Sequence, residues 1–278
     1  MDDLPILPPP SRARRFASLS PGGRGERLRE IASELPVAIS VCGFGYAVMM
    51  ATPADLEDFA WGFALSERLI DHPGQVESVT LRGEVRGILL DIWLADECRD
   101  RVVERVRHRV GESSCGLCGI ENLDQALRPL PALSAPAGVA PQAVFAALAA
   151  LTGHQPLNAA TGAVHAAAFA DRNGAILAAR EDVGRHNAFD KLIGHGLRTG
   201  GLRTGLAAGD GFALLTSRCS FELVEKAALA GVRLLVTISA PTALAIERAQ
   251  SCGLTLIALA RADEMLVAAD PHEVFTSA

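Results

Sequence analysis

Read for period, the chain changes character near its middle, from short alternating segments to a regular succession of apolar strands and helices. Residues 36–41 and 46–50 are apolar, β-rich runs on either side of Gly43-Phe44-Gly45, the pattern of a hairpin. A helix follows. Thr52 is placed to cap it, with Pro53 at the first position and Asp55 at the third, and Leu56, Phe59, Ala60, Phe63 and Ile70 recur at helical spacing until His72-Pro73-Gly74 stops it. Residues 76–81 and 85–93 alternate across Arg82-Gly83-Glu84 as a second hairpin, and Val102, Val103, Val106 and Val110 suit a short basic amphipathic helix. These elements predict a small α+β unit over residues 26–128. Residues 1–25 hold Pro, Arg and Gly clusters without periodicity and read as a flexible N-terminal tail.

Four prolines among Ala, Leu, Ser and Gly mark residues 129–141 as a connector. Over residues 142–278 the pattern predicts a helix at 142–151, strands at 163–170 and 175–180 around Asn173-Gly174, and a helix at 184–197. It continues with a strand at 212–216, a helix at 221–230, a strand at 232–238, a helix at 242–250 and a strand at 254–260. Apolar strands alternating with helices bury both faces of a largely parallel sheet, here begun by an antiparallel hairpin. The fold class is therefore α/β: an α+β N-terminal unit followed by a three-layer α/β/α domain.

Composition narrows the function classes. At 278 residues and 49% hydrophobic the chain can bury a large core. A net charge of −6 argues against electrostatically driven nucleic-acid binding. No apolar run reaches the roughly 18 residues of a membrane span, and Arg14-Arg15-Phe16 is followed by a polar segment at 20–27 where an export signal needs an apolar one. Cys42, Cys98, Cys219 and Cys252 are isolated, which fits reduced thiols of a cytoplasmic protein rather than a disulfide framework.

Cys115 and Cys118 differ from these. They stand in Cys115-Gly116-Leu117-Cys118-Gly119, inside a Gly/Ser-rich loop at 111–122. Two intervening residues let both sulfurs reach one atom: a zinc ion, a disulfide partner or a transferred sulfur. A closed zinc site lacks its second ligand pair in the sequence, and a thioredoxin-type dithiol opens a helix rather than a polar loop. A mobile thiol that carries sulfur fits the flanking glycines better, and no metal site is expected.

Ligands of open parallel sheets gather beyond the carboxyl ends of strands, where helix N-termini present free N–H groups. Three junctions share that design: 180–187, with Asp182, Arg185, His186 and Asn187; 216–220, with Ser217 and Arg218; and 239–242, with Ser239. Their hydroxyls, arginine forks and backbone donors suit phosphate oxygens. A fourth junction, 259–264, adds the carboxylates of Asp263 and Glu264, which can accept from a donor-rich heterocycle. Each Ser or Thr can equally be a helix cap and each Arg a solvated end. His165, alone in an apolar strand, reads first as a core residue, and His186 is the better ligand contact.

The segments SSCGLCG, VMMATPADLEDFAWGFALSE, TGAVHAAAFAD, EDVGRHNAFDKLIG and ISAPTALAIERAQSCGLTLIALAR resemble the FdhD/NarQ family of formate dehydrogenase accessory sulfurtransferases, from about Arg24 to the last strand. The resemblance implies a sulfurtransferase working as a persulfide relay. A cysteine desulfurase loads sulfane sulfur on the protein, which passes it to the molybdenum cofactor, in its bis(molybdopterin guanine dinucleotide) form, needed by the formate dehydrogenase apoenzyme. It also implies that Cys115 carries the persulfide with Cys118 assisting or resolving it, that Leu259, Ala260, Arg261, Ala262, Asp263 and Glu264 bind the cofactor, and that the second domain has a cytidine deaminase-like fold. The zinc pattern of deaminases is absent from the sequence, so base deamination is not expected. A cofactor-binding chaperone that moves no sulfur is the alternative, and a homodimer is the default oligomer.

Overall fold

A computed structural model describes residues 7–110, 128–136, 138–200 and 210–275. The segment with Cys115 and Cys118 lies outside the described residues. Strands β1 (Ser11–Ser20) and β2 (Gly23–Ala32) form a separate, largely exposed hairpin. Residues 11–25, expected as part of a loose tail, are thus half of a regular ladder. Its residues alternate between small, charged and apolar types on both faces, so its order comes from backbone pairing, and β2 rests against the short helix α4 (Pro156–Thr161).

Next come β3 (Leu35–Val41), β4 (Phe44–Ala51), helix α1 (Leu56–Ser66), β5 (Val76–Glu84), β6 (Gly87–Leu94) and helix α2 (Arg99–Val110). The four strands make one sheet in the order β4-β3-β6-β5, with β3 and β6 parallel. Ile88, Leu90, Ile92 and Leu94 of β6 and Val37, Ile39 and Val41 of β3 are buried at every second position, as a sheet covered on one face requires. The cover is α1. Phe59 and Phe63 lie in the same core, and the Tyr46 and Phe63 rings meet edge to face at 5.6 Å.

The helix begins later than its sequence suggests. Asp55, in the left-handed region at φ 52, precedes the first helical residue. Thr52, expected as the cap, is fully buried, and its hydroxyl accepts from the Val183 amide at 3.1 Å. Likewise β5 runs through Arg82-Gly83-Glu84, so the turn falls on Val85-Arg86.

The second half holds α3 (Pro141–Leu151), α4, β7 (His165–Asp171), β8 (Ile176–Asp182), α5 (Arg185–Thr199), β9 (Gly211–Leu215), α6 (Phe221–Leu229), β10 (Leu234–Thr237), α7 (Ala243–Cys252), β11 (Thr255–Ala258) and β12 (Leu266–Ala269). The sheet order is β12-β11-β10-β9-β7-β8: a parallel centre of β9, β10 and β11, flanked by the β7–β8 hairpin and antiparallel β12. Alternate residues of the strands enter two cores. Ala167, Phe169, Ala213, Leu215 and Leu235 face α5, α6 and α7, whereas Ala168, Ala170, Phe212, Leu214 and Val236 face Val144, Ala147 and Leu151 of α3. The sheet is therefore buried on both faces, and the predicted three layers are present. The four-residue β12 and the six-residue α4 were not anticipated, being too brief to carry a period.

The first of these cores is continuous with the core of the smaller sheet. Helices α1 and α5 cross antiparallel with almost no space between their backbones. A Cβ built on Gly62 would fall on the Asp190 carbonyl, and one on Gly194 would fall on that of Asp58. Charged groups seal the crossing. Asp58 accepts from Arg180 Nε at 2.7 Å and Arg198 Nη1 at 2.6 Å, and Asp190 pairs with Lys226 at 2.6 Å and with the Ser66 hydroxyl.

Two substitutions test this joint. Gly62→Ala forces the helices apart and should cost about 3 kcal/mol in urea unfolding, a change under about 0.5 kcal/mol contradicting the close approach. Lys191→Met, which strands a buried carboxylate at Asp182, should cost about 3–5 kcal/mol in the same measurement.

Candidate functional site

The registers bring several predicted residues to one edge of the large sheet. His165 at the start of β7 pairs with Asp182 at the end of β8, while Ala167 pairs with Leu215 and Leu215 with Thr237 at the ends of β9 and β10. Beyond the strands the loops continue the pairing. Cys219 N donates to Ala240 O at 3.2 Å, Thr242 N to Cys219 O at 3.0 Å, and Leu259 N to Ser239 O at 3.2 Å. Ala260 N donates to Thr237 O, and Arg261 N to Glu264 O at 2.7 Å, which closes the last junction into a tight turn. Three junctions are thus stitched into one rim, and the register of β8 on β7 brings the fourth, at 180–187, to the same edge.

Arg218, Leu259, Arg261, Ala262, Asp263 and Glu264 are exposed on that rim, and Ser239 is half-buried. Ala260 is 1% exposed and packs into the core against α3, so only its backbone can meet a ligand. Ser217 is buried with its hydroxyl turned to the Arg218 carbonyl at 3.0 Å.

Asp182 and Asn187 have another use. The Asp182 carboxylate is fully buried and accepts from Thr52 N at 2.9 Å, Gly184 N at 2.7 Å, Asn187 Nδ2 at 3.1 Å and Lys191 Nζ at 2.6 Å. Asn187 also donates to the Met50 carbonyl at 2.8 Å. Both were expected to contact ligand; their polar atoms are instead engaged in fastening β4 beneath the rim.

At the helix starts the two readings divide. Thr242 caps α7 by accepting from Ala245 N at 3.2 Å. Neither Gly184 before α5 nor Ser220 before α6 makes a side-chain cap, which leaves their first-turn amides and positive dipole ends facing the rim. Between these two ends lie Arg185, His186, Ser220 and Glu222. His186 Nε2 is 3.4 Å from Ser220 Oγ, and both Arg185 Nε and Glu222 Oε2 are buried without a hydrogen-bond partner. Such groups fit a polar ligand that supplies acceptors to the arginine and donors to the carboxylate. Glu222 was missed because a glutamate in a helix's first turn looks ordinary.

Burial, with Lys226 and Arg185 adding and Glu222 opposing, lowers the His186 pKa to about 4. His165 is likewise lowered by burial and by Arg185. Both rings are neutral near pH 7 and can donate or accept a hydrogen bond without adding charge. Cys219, on the rim, is pushed up to about 12 by burial and then Glu222, and burial also raises Cys98 and Cys252. These thiols are therefore poor nucleophiles at neutral pH.

Because His186 titrates near pH 4 in the fold and near 6.5 in the unfolded chain, the unfolded chain takes up the extra proton between those values. Its contribution to stability is intact above pH 6.5 and is lost as pH falls toward 4. Ring NMR titration should give a midpoint near 4, and His186→Gln should flatten the pH dependence of the melting temperature across that window. A ring that titrates above pH 6 would contradict the geometry.

The model of the FdhD/NarQ family matches residues 32–275. The "Sulfur carrier protein FdhD" of Xanthomonas campestris pv. campestris (strain B100) is 46% identical over 254 residues, covering 91% of this chain and 89% of that protein. Its namesake from Bordetella petrii is 39% identical over 252 residues with the same coverage. A crystal structure from Desulfotalea psychrophila, of a protein proposed to be a formate dehydrogenase accessory protein, superposes with a TM-score of 0.73. It covers 95% of this chain and 99% of its own at 23% identity, a likeness of fold. Over nearly its whole length, then, the chain belongs to the FdhD/NarQ family.

Proposed function

We propose that the protein is a sulfur carrier and sulfurtransferase that matures formate dehydrogenase. The observation that carries this reading is its membership, through relatives named sulfur carrier protein FdhD, combined with a CxxC pair in a chain whose buried Cys98, Cys219 and Cys252 are held protonated.

Cys115 is the carrier. Its thiolate attacks the outer sulfur of a cysteine desulfurase persulfide; the donor S–S bond breaks, the donor leaves as thiolate, and Cys115 becomes a persulfide. Delivery to molybdenum as a sulfido ligand needs two electrons. Cys118 supplies them by attacking the Cys115 Sγ, which releases the terminal sulfur as sulfide and leaves a Cys115–Cys118 disulfide for a cellular dithiol to reduce. Two intervening residues permit that bond.

The acceptor is the bis(molybdopterin guanine dinucleotide) cofactor, held as a transfer target at the rim. Arg185, Arg218 and Arg261 are available for its phosphates, as are the open ends of α5 and α6, and the carboxylates of Asp263 and Glu264 for a guanine edge. His186 and Ser239 complete the polar lining. The partners in this reading are a cysteine desulfurase and the formate dehydrogenase apoenzyme, in the cytoplasm, with a homodimer as the working form. No described helix is long and apolar enough to cross a membrane.

Incubation with a cysteine desulfurase and L-cysteine should add one sulfur atom to the intact mass, removable by dithiothreitol and absent in Cys115→Ala. The Cys118→Ala protein should still load but fail to activate formate dehydrogenase. If Cys115→Ala supports full formate dehydrogenase activity in cells while Arg218→Ala or Asp263→Ala abolishes it, the protein is a cofactor chaperone and sulfur transfer is excluded.

A further inference from the structure

Away from the rim, a cavity of ≈ 230 Å³ is lined by Arg68, Arg101, Glu104, Arg105 and Arg128. These side chains come from three places: the link after α1, helix α2, and the chain just before Pro129. Four guanidiniums against one carboxylate leave the lining unbalanced. Arg101 pairs outward with Asp71 at 2.6 Å. Arg105 Nη2 donates to the Glu67 carbonyl at 3.3 Å and lies 3.8 Å from Glu67 Oε2, but its Nε is buried with no partner. Arg68 donates to the Pro129 carbonyl at 3.0 Å. Neither Arg68 nor Arg128 forms an ion pair among the described residues. Nearby Arg248 is already engaged, with Glu225 and the Arg128 carbonyl each at 2.5 Å.

The cost of this arrangement is visible in the two unpaired arginines. Burial lowers the pKa of Arg68; Glu225 opposes, and Arg128, Arg105 and Arg248 add to the lowering. Burial and then Arg105 lower that of Arg128, with Glu67 and Glu104 opposing. Partly desolvated like charges crowded together repel one another, and an anion that joins them relieves the repulsion. Planar guanidinium forks converging from three segments suit an acceptor with oxygens in several directions, as a tetrahedral phosphate has; a carboxylate offers two oxygens in one plane.

We propose that this cavity is a phosphate-binding site, separate from the rim, that takes a phosphate group either free or carried on a small molecule. Its place in the chain gives it a consequence. Helix α2 leads into residues 111–127 and Arg128 follows them, so a phosphate held by both ties together the two flanks of the segment that carries Cys115 and Cys118.

Calorimetric titration of the full chain with inorganic phosphate, and separately with ribose 5-phosphate, at fixed ionic strength is the test. Saturable one-to-one binding of either is expected, phosphate alone marking a free anion and the sugar phosphate a carried one. Arg68→Ala and Arg128→Ala should each weaken it about tenfold or more, and Arg82→Ala on the exposed β5–β6 hairpin should leave it unchanged. No saturable binding of either probe, or binding that survives both arginine changes, overturns the proposal, as does binding lost with Arg218→Ala alone. Should the variants fold poorly, the unaltered protein decides. Phosphate should shield Arg68 and Arg128, but not Arg82, from phenylglyoxal in a peptide mass map; equal modification with and without phosphate overturns the site.

Discussion

The structure depends on one ion pair that water cannot reach. Lys191 and Asp182 are both fully buried, 2.6 Å apart, where the removal of two charges from solvent costs several kcal/mol each. That cost is offset only because the network around them is complete. The ammonium donates to Asp182, to the Thr52 carbonyl at 3.0 Å and to the Glu181 carbonyl at 3.3 Å, matching its three protons. The carboxylate takes the Thr52 and Gly184 amides and the Asn187 side chain as well. One pair of charges thereby fixes the end of β4, the end of β8 and the start of α5 against one another. The smaller sheet cannot shift without disturbing the rim of the larger one.

The same principle recurs at the α1–α5 crossing, where Asp58 and Asp190 are nearly buried and each is matched by cations. Helices that touch backbone to backbone at Gly62 and Gly194 bring these groups into register. Anions are thus neutralised inside the joint. Cations stand outside it, at Arg185, Arg218 and Arg261 on the rim and at Arg68 and Arg128 beside α2. A net charge of −6 conceals this segregation, because repulsion from a ligand's negative charge acts locally and is set by the nearest few groups. The protein is acidic overall and yet gathers arginines in two places.

The proposed function assigns sulfur chemistry and anion binding to different elements. Cys98, Cys219 and Cys252 sit where burial suppresses ionisation, so sulfur is kept away from them. Neutral His165 and His186 allow the rim to offer hydrogen bonds without competing for negative charge. In the proposed function such a division suits a carrier that meets a donor and then an acceptor, with the acceptor on the framework and the reactive thiol on another part of the chain.

Much of this was legible in the amino acids themselves. Period 2 in β6, the apolar runs of β9 to β11 and the helical spacing of α1 place these elements close to where they fold, since each pattern records which face of one element meets the core. The CxxC pair and the family resemblance are local strings. The β1–β2 hairpin left no such trace, because backbone pairing holds it and no apolar face is repeated. Nor could sequence decide the fate of individual polar groups. Asp182 and Asn187 look like ligand contacts beside Arg185 and His186, and Thr52 looks like a helix cap. Their partners lie 130 and more positions away, and only the docking of α5 on the end of β4 turns them inward. The arginines of the cavity converge for the same reason. Hydrophobic pattern, a property of neighbours in sequence, determined the elements; hydrogen bonding and charge, which act between neighbours in space, were decided by the tertiary structure.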